Sequence, residues 1–252
     1  MYCIGKQLTT RPTKALVGFD VEWTKNYKIK HGSQPFCFSF VWLDIDRSER
    51  DFSDQIEFGL SARYVQDSSE IPTLIQEADS ALCQLVDQFE EIIVVGHQFS
   101  SDLGVLLQHP DAGQVPNLRR LKDAWSERRE PGLFSSRTIQ VLDTRYDLET
   151  ILTKKSRRLV DVCDELGLEV TQPEIRGSMT KMQRSFYETG DSSILQRLLV
   201  LNIRHSLSSA ILYLFSLKGR PPYPYVNTNR ILYKNLNAEL DYLRCEGFRS
   251  LL

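Results

Sequence analysis

The sequence predicts an α/β fold: a mixed β-sheet flanked by helices, with a short helical appendage at the C-terminus. Three observations carry this expectation. Short apolar runs such as Leu16–Val21 and Ile92–Val95 have the length and bounding residues of buried strands. Longer stretches such as Ile71–Phe89 repeat apolar residues at the helical period. The strands come first, partly as a meander, and then alternate with helices, the order of a sheet with helices packed on its faces.

Taken in order, Leu16–Val21 reads as a buried strand, and Pro35–Leu43 (PFCFSFVWL), rich in aromatic and β-branched residues, as a second. The acidic stretch Asp44–Asp54 reads as a turn region, with a third short strand near Gln55–Leu60. In Ile71–Phe89 the residues Leu74, Ile75, Ala78, Leu82, Leu85, Val86 and Phe89 fall on one helical face. Ile92–Val95 is an apolar tetrad ending in Gly96-His97, a strand running into a loop. Asp102–Gln108 starts a helix with Ser100 or Ser101 as its N-cap. Pro110–Ser136 is polar and basic and shows no clear period. Thr138–Asp143 (TIQVLD) is another buried strand that ends in a carboxylate. Arg157–Leu166 is an amphipathic helix stopped by Gly167, and Thr180–Glu188 and Ser192–Leu217 are helices, the last long and apolar. The run from Gly219 to Tyr225 breaks it, and Asn229–Leu252 carries one more helix. The expected division is a domain over 1–218 and a tail over 219–252. No internal repeat interrupts this plan.

Composition narrows the function classes. Across 252 residues, hydrophobic residues make up 41% and charged residues 25%, ordinary for a soluble globular protein. No apolar stretch is expected to approach the roughly 20 residues that span a bilayer, and the start MYCIGKQLTTRPTK lacks the apolar core of a signal peptide. Five scattered cysteines without a Cys-x-x-Cys pair favour reduced thiols, hence an intracellular setting in cytoplasm or nucleus. Net charge is only −2, but Val41–Pro110 holds 14 acidic and 3 basic residues, and Leu118–Arg158 holds 11 basic and 6 acidic. Such asymmetry fits a face that meets a polyanion, and equally fits solvated helix faces of opposite sign.

The chemistry begins at FDVE. Asp20 and Glu22 are i and i+2 on a strand, so both side chains leave the same face. Two carboxylates at the end of a hydrophobic strand repel, and burial worsens the repulsion. A divalent cation between them would resolve it, since carboxylate oxygens are preferred ligands of Mg²⁺ and Mn²⁺. Solvation of two exposed acids would also resolve it. A second signal is IIVVGHQFSSDL, a strand, a Gly-His turn and then Asp102 in the first turn of a helix, aimed back over the strand ends.

VGFDVEWT, followed about 75 residues later by VVGHQFSSDL, resembles the first two motifs of the DEDD superfamily of 3′–5′ exonucleases. That superfamily includes polymerase proofreading domains and the ribonuclease D type, all of ribonuclease H-like fold. The resemblance covers roughly residues 14 to 217. It implies that Asp20, Glu22 and Asp102 hold metal, and His97-Gln98 stands where the family often has His-Asn. Asp143-Thr144 resembles the strand-end Asp-Thr that often follows, and RRLVDVCDELGLE resembles the helix before the third motif. The third motif departs. The family's last helix carries Tyr-x-x-x-Asp or His-x-x-x-x-Asp, whereas here LVLNIRHSLSSAILYLF puts Leu201, Asn202 and His205 in the first pattern, or His205 and Ala210 in the second. No carboxylate occurs between Asp191 and Glu239, so a fourth acid is missing.

His205 then has several readings. As a ligand it favours Mn²⁺ over Mg²⁺, and the Holliday-junction resolvase branch of the wider superfamily places a histidine last. It could serve as general base, or be a packed core histidine beside a decayed site. Asp143 could orient a ligand from behind or merely cap its strand. The expectation is a metal-dependent 3′–5′ exonuclease holding two Mg²⁺ or Mn²⁺ ions through Asp20, Glu22, Asp102 and His205. Its substrate would be the single-stranded 3′ end of DNA or RNA. An inactive nucleic-acid-binding or scaffold subunit and a structure-selective endonuclease are the alternatives. Phosphate contacts are expected from Arg119, Arg120, Lys122, Arg128, Arg129, Lys154, Lys155, Arg157 and Arg158. Lys181, Arg184 and Arg176 would line the channel. Phe99, beside Gln98, and Trp23 are placed to stack on a base, Trp23 being as well suited to packing. The tail would offer a surface for a protein partner, and no membrane contact is expected.

Overall fold

Why the acids of FDVE sit where they do is a question of strand order. A computed structural model describes residues 1–10, 12–24, 33–50, 53–110, 112–128, 138–148, 151–169, 179–218 and 226–252. Strands β1 (Tyr2–Lys6), β2 (Lys14–Thr24), β3 (Gln34–Asp44), β4 (Gly59–Tyr64), β5 (Glu91–Gly96) and β6 (Thr138–Asp143) form one sheet in the order β1-β4-β3-β2-β5-β6. The first four pair antiparallel, and β2–β5 and β5–β6 pair parallel, so the sheet is mixed. Around it lie α1 (Ile45–Arg50), α2 (Ile71–Gln88), α3 (Phe99–Leu107), α4 (Pro116–Ser126), α5 (Leu159–Glu165), α6 (Met179–Thr189), α7 (Ser192–Lys218), α8 (Thr228–Leu236) and α9 (Glu246–Arg249). A short parallel pair, β7 (Leu168–Glu169) with β8 (Val226–Asn227), stands apart from the main sheet.

β2 is central and covered on both faces, which is why Ala15 to Val21 are all buried and read as an unbroken apolar run. Its odd-numbered residues meet α3, where Phe19 lies 5.6 Å from Phe99 between ring centroids. Its even-numbered residues face α7. There Gly18 is required by contact: a Cβ at that position would lie 1.9 Å from the Ser206 carbonyl oxygen. Ser206 continues the contact onto β3, its hydroxyl 2.6 Å from that of Ser39. The next even residues along β2 are Asp20 and Glu22, so the approach of α7 at Gly18 delivers the helix onto both acids.

Several expectations need correcting. The third strand is Gly59–Tyr64, not Gln55–Leu60: β4 is set by its partners, Ser61 opposite Phe40 and Leu60 opposite Val41. Part of the supposed turn region Asp44–Asp54 is α1. α4 occupies part of the uncalled stretch Pro110–Ser136 and buries only Leu118, Leu121 and Ala124, a faint periodic signal. β1 was not foreseen, being an edge strand with a single buried residue, Ile4. α5 is shorter than read, and Gly167, at φ 77°, closes its last turn. Within α7, Ser192–Ser216 is by length and composition apolar enough to cross a membrane, contrary to expectation, but 89% of its most apolar window is buried.

The C-terminal residues join this core. Leu232, Leu236, Leu240, Leu243 and Phe248 are buried in the same apolar cluster as the sheet. Asn235 of α8 accepts a hydrogen bond from Lys6 Nζ at 2.7 Å and donates to the Ile56 carbonyl at 2.9 Å. Two helices, α8 and α9, stand where one was expected.

Candidate metal centre at the β2–α7 contact

The register of β2 and the rise of α7 together bring Asp20, Glu22 and His205 to one point. One ligand atom from each lies within 4.8 Å of the others. His205 Nδ1 is 3.1 Å from Glu22 Oε1 and 3.5 Å from Asp20 Oδ2. Asn202, three residues earlier and hence on the same helical face, donates from Nδ2 to Asp20 Oδ2 at 2.7 Å and to the Asp20 carbonyl at 3.1 Å. This clamp was missed as a functional residue in the sequence, although Asn202 and His205 are polar residues at helical spacing within an apolar helix. Burial disfavours charge on the His205 imidazole, but the Asp20 and Glu22 carboxylates outweigh it and lift its pKa to about 9.

Asp102 stands outside that triad, so the expected four-residue pocket is a set of three with one near neighbour. The residue is 3% exposed, and its Oδ2 has no hydrogen-bond partner among the described residues. Burial and then the charges of Asp20 and Glu22 push its pKa well up. An orphaned buried carboxylate oxygen beside two further acids fits a missing cation. The donor set of three carboxylates and an imidazole suits Mn²⁺ or a similar ion.

What aims Asp102 is Asp143, and the structure shows how. The N-cap is not Ser100 or Ser101: α3 begins at Phe99, preceded by Gln98 in a left-handed conformation at φ 66° and ψ 46°. The Asp143 carboxylate, reaching across from β6, accepts from the Gln98 and Phe99 amides at 2.9 and 3.0 Å, from Trp125 Nε1 at 3.1 Å and from the Arg145 amide at 3.1 Å. A fully buried carboxylate thus caps the helix that carries Asp102. Asp147 accepts from the Asp143 amide at 2.7 Å and is itself held by Arg128 at 2.9 Å.

The expected nucleic-acid contacts fare unevenly. Phe99 is fully buried and packed on Phe19, so it cannot stack on a base. Gln98 spends its side chain on Ser101, at 2.7 Å, and on Arg145, at 3.1 Å. Trp23 is half-buried against the core, the packing outcome. Arg128 lies over Trp125 and is ion-paired, Lys154 pairs with Asp164 at 2.8 Å, and Arg158 with Asp161 at 2.6 Å. Arg157 turns back to the Lys154 and Ser156 carbonyls. Arg119, Arg120, Lys122 and Lys155 are exposed and make no ion pair among the described residues. Arg129 and Arg176 lie outside the described residues. No family model matches the chain, and no curated protein does.

His97 tethers this region to the basic segment. Its Nε2 faces the Arg157 carbonyl at 2.9 Å, so that nitrogen carries a proton, and Nδ1 lies 2.9 Å from the Thr144 hydroxyl, which is also 3.0 Å from the Gly96 carbonyl. Burial drives its pKa down from 6.5 to about 4. Between those values the unfolded chain binds the extra proton, so the contribution to stability is complete above pH 6.5 and is lost as pH falls toward 4. Urea unfolding of wild type and His97→Gln at pH 7 and pH 4.5 should show wild type losing about 2 kcal/mol more than the variant. Equal losses would mean that His97 is protonated in the fold.

Proposed function

We propose that this chain is a metal-dependent phosphodiester hydrolase of ribonuclease H-like fold, acting as a 3′–5′ exonuclease on DNA or RNA. The observation that carries this reading is the convergence of Asp20, Glu22 and His205 within 4.8 Å, from elements about 180 residues apart, beside a buried carboxylate oxygen without a partner among the described residues. The antiparallel meander of β2, β3 and β4, continued by the parallel strands β5 and β6, supports the fold assignment.

Asp20, Glu22 and His205 would hold the ion, with Asp102 offering a further carboxylate. When bound, Mn²⁺ or Mg²⁺ supplies an activated water and neutralises charge on the leaving 3′ oxygen. The protein's own part is positioning. Asn202 fixes the Asp20 carboxylate, Asp143 holds α3 so that Asp102 stays against the cluster, and both strand-borne acids lie on a central strand paired with β3 at Ser39 and Cys37. His205 must give up the proton it shares with Glu22 before Nδ1 can ligate, so metal affinity rises with pH. Lys155, Arg119, Arg120 and Lys122 remain available to attract a polyanion.

A second reading has its own observation. With a pKa lifted to about 9, His205 is an imidazolium at neutral pH and already neutralises Asp20 and Glu22. A chain carrying its own cation would bind nucleic acid or a partner without cutting.

Incubation with 3′- and 5′-labelled single-stranded DNA and RNA, in Mn²⁺ and separately in Mg²⁺, separates the two. The exonuclease reading expects a ladder shortening from the 3′ end, stronger in Mn²⁺ and abolished by Asp20→Asn. Binding without cleavage in either ion supports the second reading, and cleavage untouched by Asp20→Asn overturns the proposed centre.

A further inference from the structure

Beside His205, between α5 and α7, charge is handled in the opposite sense. A partly open cavity of about 50 Å³ is lined by Leu159, Val160 and Cys163 of α5 and by Arg204, His205 and Ser208 of α7. Arg204 is only 7% exposed, yet its Nε and Nη1 have no hydrogen-bond partner among the described residues, and the Ser208 hydroxyl beside it faces the Cys163 thiol. A guanidinium removed from water without a counter-charge is costly, and proteins retain one where something else completes it. The lining offers no anion: Leu159 and Val160 are apolar, and burial of the Cys163 thiol pushes it up to about 12, so it stays neutral. Glu169, which acts on Arg204 from a distance, is an exposed residue of β7.

We propose that this cavity is an oxyanion subsite that takes one phosphate group on the Arg204 guanidinium and the Ser208 hydroxyl. Size supports it. A water needs about 10–15 Å³ by this measure, so the space holds a few water-sized groups, the bulk of one tetrahedral oxyanion and too little for a base. Chemistry supports it too, since Arg presents several N–H donors in a fork suited to phosphate oxygens. Of the basic segment that leads into α5, Lys155 is exposed and adds long-range attraction, whereas Lys154 and Arg158 are matched by Asp164 and Asp161. The oxyanion site itself stands on Arg204 and Ser208, independently of the acidic cluster. Its ligand is either free inorganic phosphate or the 5′-phosphate of a nucleotide, and only the latter rests on the nuclease reading, because His205 lines both the cavity and the acidic cluster.

The test is calorimetric titration of the metal-free full chain with inorganic phosphate at constant ionic strength, against chloride as control. Saturable one-site binding is expected, with Arg204→Met at least about 30-fold weaker, the loss typical of truncating one partner of a buried charge pair. Arg204→Met should be no less stable than wild type without phosphate, because it removes a buried charge that lacks a partner. A nucleoside 5′-monophosphate that displaces phosphate, where the nucleoside does not, identifies the nucleotide source; failure to displace it identifies free phosphate. Absence of saturable binding, or binding retained in Arg204→Met, overturns the proposal. So does unfolding of both Arg204→Met and Arg204→Lys, since the guanidinium would then hold the fold. The titration contains no metal, so it can succeed where cleavage fails.

Discussion

Gly18→Ala is expected to lose about 3 kcal/mol or more of unfolding free energy, beyond the usual range for overpacking. An added Cβ would sit 1.9 Å from the Ser206 carbonyl oxygen, 2.7 Å from its carbon and 3.3 Å from the Ala210 Cβ. Two of the three are backbone atoms of α7, which cannot rotate aside as a flexible side chain would. Relief therefore requires lifting α7 off β2, and that breaks the buried Ser39–Ser206 contact. A domain of this kind has about 5–15 kcal/mol in total, so the loss is a large share. Denaturant unfolding measures it, with Gly104→Ala as the control. At Gly104 a Cβ would meet only Gln108 Nε2 at 3.8 Å, and the helix-propensity gain of about 0.5–1 kcal/mol should make that variant more stable. Any Gly18→Ala protein that folds should also bind Mn²⁺ more weakly, because lifting α7 carries His205 away from Asp20 and Glu22. A Gly18→Ala variant as stable as wild type would show that α7 does not depend on this approach.

The same contact explains what could be read in the sequence and what could not. β2, β3, β5 and β6 are legible because strands covered on both faces need continuous apolar runs. The edge strand β1 and the polar helix α4 bury little and leave little signal. β4 was displaced in the reading because its limits follow pairing with β3, which no local pattern encodes. At the site, Asp20 and Glu22 are legible because two acids ending an apolar strand need an external reason. His205 stood out as an imidazole interrupting the long apolar helix. Phe99 and Gln98 misled because the N-cap of α3 comes from Asp143, about 45 residues away, which frees Phe99 to enter the core. The basic residues misled for a related reason. Composition counts charges, but Arg128, Lys154 and Arg158 are matched with Asp147, Asp164 and Asp161 in three dimensions, leaving fewer cations to meet a polyanion. Arg204 is the converse case, a buried charge in an apolar helix whose meaning appears only with the cavity beside it.

Replacing His205 with Asp should exchange one cation requirement for another, and it separates the two readings of the centre. In metal-free wild type the imidazolium bridges Asp20 and Glu22. Its pKa of about 9 against an ordinary 6.5 implies roughly 2 kcal/mol of stabilisation at neutral pH, after allowing for solvent around a partly exposed ring. That stabilisation is complete below pH 6.5 and disappears as pH rises through 9. His205→Asp removes it and sets a third carboxylate against Asp20 and Glu22, with Asp102 close by. The metal-free variant should therefore melt well below wild type at pH 7, by about 8 °C or more if 3 kcal/mol is lost at the few °C per kcal/mol typical of domains this size. Divalent cations should restore it, because four carboxylates form an all-oxygen set suited to Mg²⁺. The ratio of Mg²⁺ to Mn²⁺ affinity should rise on the order of tenfold, since an imidazole ligand no longer discriminates against the harder ion. Thermal melts with and without each metal read the first effect, and calorimetric titration the second. If wild type cleaves in Mn²⁺ alone and His205→Asp cleaves in Mg²⁺, His205 is a working ligand. If wild type is inert in both ions and His205→Asp gains cleavage in Mg²⁺, the imidazolium is the lock that keeps an otherwise complete centre closed. A variant that melts like wild type and ignores both metals would mean that the four side chains do not form a cation site.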